Sequence, residues 1–135
     1  MKELKIKASI ENLEQVIAFV DEELEKYDCP IKLQMQIDVA VEEIFVNIAS
    51  YAYKPGEGDA SISIDIIKDP ARAEITFVDS GVEYNPLKKE DPDVTLSAEE
   101  RQIGGLGIYM VKKSMDDMIY NYSNGQNILK IIKNL

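Results

Sequence analysis

The sequence predicts an α+β fold: a two-layer α/β sandwich in which helices cover one face of a mixed, mostly antiparallel sheet. Three observations carry that prediction. Residues 60–67 and 71–78 alternate apolar and polar positions on either side of Lys68-Asp-Pro70. A second pair of such stretches, 118–122 and 128–132, is separated by Ser123-Asn124-Gly125. The stretches 10–27 and 31–53 instead repeat apolar residues at intervals of three and four. Alternation gives a strand one buried face and the longer period gives a helix one buried stripe, so packing the two against each other makes a layered domain.

Each element follows in order. Leu4, Ile6 and Ala8 alternate with lysine and glutamate and predict a half-buried first strand over 2–8. Ser9 or Asn12 is placed to cap the helix that follows, in which Leu13, Val16, Ile17, Val20 and Leu24 form the apolar stripe. That helix ends near Asp28-Cys-Pro30. A longer helix over 31–53 presents Ile37, Val41, Ile44, Phe45 and Ile48, and Lys54-Pro-Gly-Glu-Gly58 stops it. Two paired strands come next. The stretch 82–103, with Asn85-Pro86, Asp91-Pro92 and a capping-box pattern from Ser97 to Glu100, is long for a connection inside one domain, and such connections are usually functional or mobile. A helix over 107–115 then leads to the final hairpin, for which Asn-Gly is a strong turn signal.

Composition narrows the chemistry. The 135 residues suit a single domain spanning 1–135, which at this size buries roughly two thirds of the surface of its unfolded chain. With one cysteine, Cys29, and no histidine, neither a disulfide framework nor a thiol and imidazole zinc site is available, and the usual base of serine and cysteine hydrolases is missing. An acid or base must therefore be a carboxylate, a lysine or a tyrosine. A formal charge of -10 opposes binding to nucleic acid, whose affinity depends on lysine and arginine displacing counterions. No stretch reaches the ~20 apolar residues of a membrane span and the first residues do not resemble a secretory signal, so a cytoplasmic location is expected.

Three segments carry the candidate chemistry. Glu43 and Asn47 lie one helical turn apart, about 40° around the axis, so both side chains reach one ligand. An asparagine oxygen suits Mg²⁺, and a glutamate suits proton transfer from a hydroxyl. Asp79-Ser-Gly81 follows a strand, where a carboxylate accepts from an exocyclic amine and glycine permits close approach. Gly104-Gly-Leu-Gly107 opens a helix, where backbone amides and the positive end of the dipole suit phosphate oxygens. Taken singly, these segments also read as an exposed polar stripe, a strand-to-loop turn and a glycine-rich turn. The last lacks the G-K-[ST] ending of a P-loop.

In this order and spacing, Val39-Ala-Val-Glu-Glu-Ile-Phe-Val-Asn47, Phe77-Val-Asp-Ser-Gly81 and Gly104-Gly-Leu-Gly-Ile-Tyr-Met-Val111 resemble the three nucleotide-site boxes of the GHKL ATPase superfamily, the Bergerat fold. The short single-domain form is most similar to the anti-sigma factor serine kinases of bacteria. The resemblance implies a histidine-kinase-like ATPase domain using ATP and Mg²⁺, with an ATP lid over about 82–103. It implies Glu43 as general base, Asn47 as magnesium ligand, Asp79 as acceptor from the adenine amine and Gly81 as the close-approach glycine beside the ring. It further implies Gly104, Gly105 and Gly107 as the phosphate cradle, with the amides of Leu106 and Ile108 available to it, and Arg101 in reach of the terminal phosphate although out of register with the family's arginine. Two positions depart from the broader pattern. Glu83 replaces a second glycine, as in the anti-sigma kinase branch, and Tyr51 stands where a histidine is common, with packing beside Tyr53 against the lid as its structural reading.

The function so implied is an anti-sigma regulatory factor, a Mg-ATP-dependent protein serine kinase that phosphorylates an anti-sigma-factor antagonist and sequesters a sigma factor, with a homodimer as its assembly and with neither nucleic acid nor membrane as a direct partner. The alternative is a nucleotide-gated protein-binding module with little or no kinase activity. A detached histidine-kinase ATP-binding domain fits less well, because the chain holds no phosphoacceptor histidine.

Overall fold

A computed structural model describes residues 1–88 and 106–135. The described chain runs β1 (Lys2–Lys7), α1 (Leu13–Lys26), α2 (Ile31–Asn47), β2 (Asp59–Ile67), β3 (Arg72–Asp79), α3 (Leu106–Ser114), β4 (Asp117–Ser123) and β5 (Gln126–Asn134). Short 3₁₀ turns occupy Ile10–Asn12 and Pro86–Lys88, and a π-helical turn occupies Ile48–Ala52. The sheet order is β1-β2-β3-β5-β4, and all four pairings are antiparallel. Antiparallel pairing thus accounts for every described ladder of the sheet expected as mixed. The excursion from β1 to β2 uses two helices, which reverses the chain once more than a single-helix crossover would.

Packing explains why the helices lie on one face. Ile62, Phe77 and Leu129 stand opposite one another across β2, β3 and β5, as do Ile64, Ile75 and Ile131, and all six are buried. These rows meet Val16, Val20 and Leu24 of α1, Ile37, Val41, Ile44 and Phe45 of α2, and Val111 of α3 in one core. Truncating a side chain such as Phe45 to alanine would cost roughly 3–5 kcal/mol, the usual penalty for a lost core aromatic. On the far face, Glu74 joins Arg72 at 2.7 Å and Lys130 at 3.2 Å.

Element boundaries differ from the sequence expectation where tertiary contacts decide them. Neither Ser9 nor Asn12 places a side-chain cap on the first helix. Asn12 Nδ2 instead donates to the Lys7 carbonyl at 3.0 Å, which ties the helix entrance to the end of β1. The helix expected over 31–53 leaves α-geometry after Asn47, and the π turn carries the chain to Tyr53. Asn124 and Gly125 both have positive φ, 54° and 75°, as a two-residue hairpin turn requires.

Candidate functional site

The alternation that builds the core also builds the site. One row beyond Phe77 and Leu129, the core-facing positions become polar, and Asp79 stands directly opposite Asn127. Both are buried. Asp79 Oδ1 accepts from the Gly81 amide at 2.9 Å and from Asn127 Nδ2 at 2.9 Å. Asn127 Nδ2 also donates to the Val82 carbonyl at 2.9 Å, while its Oδ1 accepts from the Tyr84 amide at 3.0 Å and from the Tyr120 hydroxyl. Burial pushes the Tyr120 phenol above its ordinary range.

The end of α2 is clamped to these strand ends. The Tyr53 hydroxyl donates to the Asp59 carbonyl at 2.6 Å and accepts from the Ser80 amide at 2.7 Å, so one side chain joins the π turn to β2 and β3. The Val82 amide donates to the Ala52 carbonyl at 2.9 Å. A Cβ on Gly81 would overlap that same carbonyl, so its close approach is made to the π turn. The clamp fixes the direction of Asn47, one residue before the turn. Interruptions of this type concentrate at functional sites.

Between these elements lies a cavity of about 490 Å³, within the ~300–1,000 Å³ typical of small-molecule sites. Ile44, Ile48, Phe77, Ile108 and Leu129 supply apolar walls, and Asn47, Asp79 and Glu83 supply polar groups. Apolar walls with a carboxylate acceptor, Asp79, among the polar groups suit a purine, whose faces bury well and whose edge needs a hydrogen bond. Glu43 is absent from that wall. Its carboxylate lies against the start of α3, where a Cβ on Gly107 would collide with it. Among the described residues, neither Glu43 nor Asn47 has a side-chain hydrogen-bond partner, and no group of three or more acidic or cysteine side chains could hold a metal ion.

The structure therefore gathers Asn47, Asp79 and Ile108 around one cavity, sets Gly81 against Ala52 of the π turn, and brings Glu43 and Gly107 together. Ile108 is buried. Leu106 is the first residue of α3. Arg101, Gly104 and Gly105 lie outside the described residues, as does the capping-box pattern from Ser97 to Glu100. Tyr51 lines the cavity, is 62% exposed, and has Lys54 Nζ 5.2 Å from its ring centroid. Asn127 is the residue missed at the sequence level. Counting back in twos from Ile131 and Leu129 reaches it, but its place beside the Asn-Gly turn makes it read as loop.

A model of the histidine kinase-like ATPase domain matches residues 6–133, which includes all three helices, the end of β1, strands β2 to β4, all but the last residue of β5 and every residue lining the cavity. The chain belongs to the histidine kinase-like ATPase domain family. Membership implies ATP as the nucleotide used. Similar relatives include proteins named serine-protein kinase RsbW from Bacillus cereus (strain ZK / E33L), 32% identical over 67% of this chain and 58% of the relative, and from Listeria monocytogenes, 29% identical over 69% of this chain and 61% of the relative. The chain thus matches less than two thirds of the length of those proteins. Among solved structures, the RsbU and RsbW domains of a Mycobacterium tuberculosis protein superpose with a TM-score of 0.67 at 16% identity, covering 100% of this chain and 33% of that one. The histidine kinase domain of a blue-light activated histidine kinase from Erythrobacter litoralis gives a TM-score of 0.61 at 13% identity, covering 91% of this chain and 61% of that one. Both share the fold of this histidine kinase-like ATPase domain. Among its described residues no helix is long and apolar enough to cross a membrane.

Proposed function

We propose that this ATPase-fold chain is an anti-sigma regulatory factor that transfers the γ-phosphoryl of Mg-ATP to a serine of an anti-sigma-factor antagonist and sequesters a sigma factor, acting as a homodimer in the cytoplasm. The observation that carries the nucleotide part is the convergence of Asn47 and Asp79 on one apolar cavity with Glu43 one helical turn away. The protein-kinase part is supported by similarity to the RsbW relatives.

Asp79 accepts from the adenine amine, and the apolar walls hold the ring. Asn47 fits Mg²⁺: it is a neutral oxygen donor without a partner among the described residues, and the lack of an acidic cluster suits an ion that takes most of its ligands from phosphates and water. When bound, Mg²⁺ would neutralise phosphate charge. Glu43 is the base that takes the seryl proton, and phosphoryl transfer needs little else beyond positioning and charge.

Incubation with labelled ATP and the cognate antagonist, followed by phosphoserine mapping, tests this reading. Wild type is expected to label one serine, and Glu43→Ala to bind ATP without labelling it. Full labelling by Glu43→Ala would remove the base assignment. The position of Glu43 outside the cavity wall favours one second reading, a nucleotide-gated binding module. It predicts stoichiometric ATP binding that changes partner affinity with no phosphorylated product.

A further inference from the structure

We propose that the outward row of α2, Ile31, Met35 and Val39, is a docking surface for a basic amphipathic helix of a partner protein. The three side chains are 69%, 61% and 60% exposed and recur every four residues, so they form one ridge along the helix. The opposite side of α2 already packs into the core through Ile37, Val41, Ile44 and Phe45. A helix that covers a sheet ordinarily turns polar residues outward. Single exposed apolar residues need no explanation, but a row of three leaves an apolar strip with no cover among the described residues. Ridges with this spacing pack into the grooves of another helix, and the flexible Met35 at the centre adapts to the shape it meets.

The rim of the row decides which helix fits. At about 100° per residue, Asp38 and Glu42 lie about 20° to either side of Ile31 around the axis. Asp21 and Glu25 of α1 face Asp38. Burial, then Asp21, pushes the Asp38 carboxyl up to about 8, so the negative charge of the rim rests on Asp21, Glu25 and Glu42. Lys32 is the one cation in α2, and Lys26 of α1 is paired with Glu23 at 3.0 Å. The rim therefore offers acceptors in excess, and lysine or arginine flanking the apolar row of an incoming helix supplies donors of opposite charge. A second copy docked here would set these acids against themselves across a two-fold axis, in a chain of formal charge -10. Anionic lipid would be repelled in the same way. This surface stands apart from the nucleotide cavity and does not depend on it.

Titration of the full chain with a synthetic amphipathic helix of leucine and lysine, followed by amide chemical shifts, tests the proposal. The peptide is expected to bind and to move the amides of residues 31–42 and 21–25 most. Met35→Gln with Val39→Gln should weaken binding about tenfold or more at an unchanged melting temperature. Glu25→Gln with Glu42→Gln should weaken it about threefold and flatten its dependence on salt. The proposal is overturned by shifts centred elsewhere, by equal binding of a scrambled peptide of the same composition, or by equal binding of a counterpart with glutamate in place of lysine. Sedimentation provides the remaining check. The Met35→Gln, Val39→Gln protein should keep the oligomeric state of wild type, and its conversion from dimer to monomer would make this face an interface between copies instead.

Discussion

The two ends of the site are built on opposite plans. At the strand ends, Asp79, Asn127 and the Gly81 amide bond one another, Tyr53 ties in the adjoining Ser80 amide, and the network is anchored in the antiparallel register of β3 and β5. At the helix end, Glu43 and Asn47 project from α2 without side-chain partners among the described residues. On the proposed reading, the first arrangement would recognise a base by shape and by the acceptor it leaves, and the second would hold polar groups in reserve for phosphate, metal and hydroxyl. Preorganisation at one end and unspent donors and acceptors at the other are what recognition and phosphoryl transfer respectively need.

The largest effect is expected at the complete end. Asp79→Ala removes the acceptor and strands the donors of Asn127 and Gly81, and calorimetry should show ATP affinity reduced on the order of 100-fold or more. A loss below about threefold would mean that Asp79 does not hold the base. At the other end, Gly107→Ala forces the Glu43 carboxylate away from α3. A displacement of ~1 Å suffices to lower transfer on the order of 100-fold, and nucleotide affinity should change far less. Equal losses in both measurements would erase the distinction between the ends.

Smaller effects probe the clamp and a contrasting carboxylate. Tyr53→Phe loses the bond to the Asp59 carbonyl and leaves the Ser80 amide unpaired, so denaturant unfolding should show a destabilisation of about 1–3 kcal/mol. Asp38 is partly buried between α1 and α2, and burial first, then the hydrogen bond and charge of Asp21 and the charge of Glu25, push its carboxyl up to about 8. Among the described residues, its Oδ1 and that of Asp21 have no hydrogen-bond partner. Where Asp79 is held by donors, Asp38 is held by a second acid. The folded state therefore retains a proton that the unfolded chain releases, so stability falls as pH rises from the ordinary carboxylate range of 3.8 towards 8 and then levels off. Asp38→Asn should flatten that part of the melting-temperature profile and leave the variant more stable than wild type on the alkaline side. An unchanged slope would show that the acid pair does not govern it.

The fold was legible because apolar periodicity reports burial directly. The alternation of Ile62, Ile64, Ile75 and Phe77 and the stripe of Val16, Val20 and Leu24 reappear as the core. Glu43, Asn47, Asp79, Gly81 and Gly107 stood out as candidates because their residue types and order match a known constellation, but the contacts each makes were not legible. Gly81 reads as the approach to a ring, whereas its missing Cβ makes room for the Ala52 carbonyl. The π turn after Asn47 has no local signal, since neither glycine nor proline occurs between Pro30 and Pro55 and contacts from Gly81 and Val82 hold the turn in place. Asn127 is hidden for a related reason. A polar residue next to a turn looks like loop until the register places it opposite Asp79.

The most direct test of the division between recognition and transfer is a side-by-side titration of Asp79→Ala and Glu43→Gln with ATP, each followed by phosphoserine analysis of the antagonist. Asp79→Ala should fail to bind, and Glu43→Gln should bind ATP as wild type does while forming no phosphoserine. Loss of ATP binding in Glu43→Gln, or undiminished phosphoserine formation by it, would contradict the account.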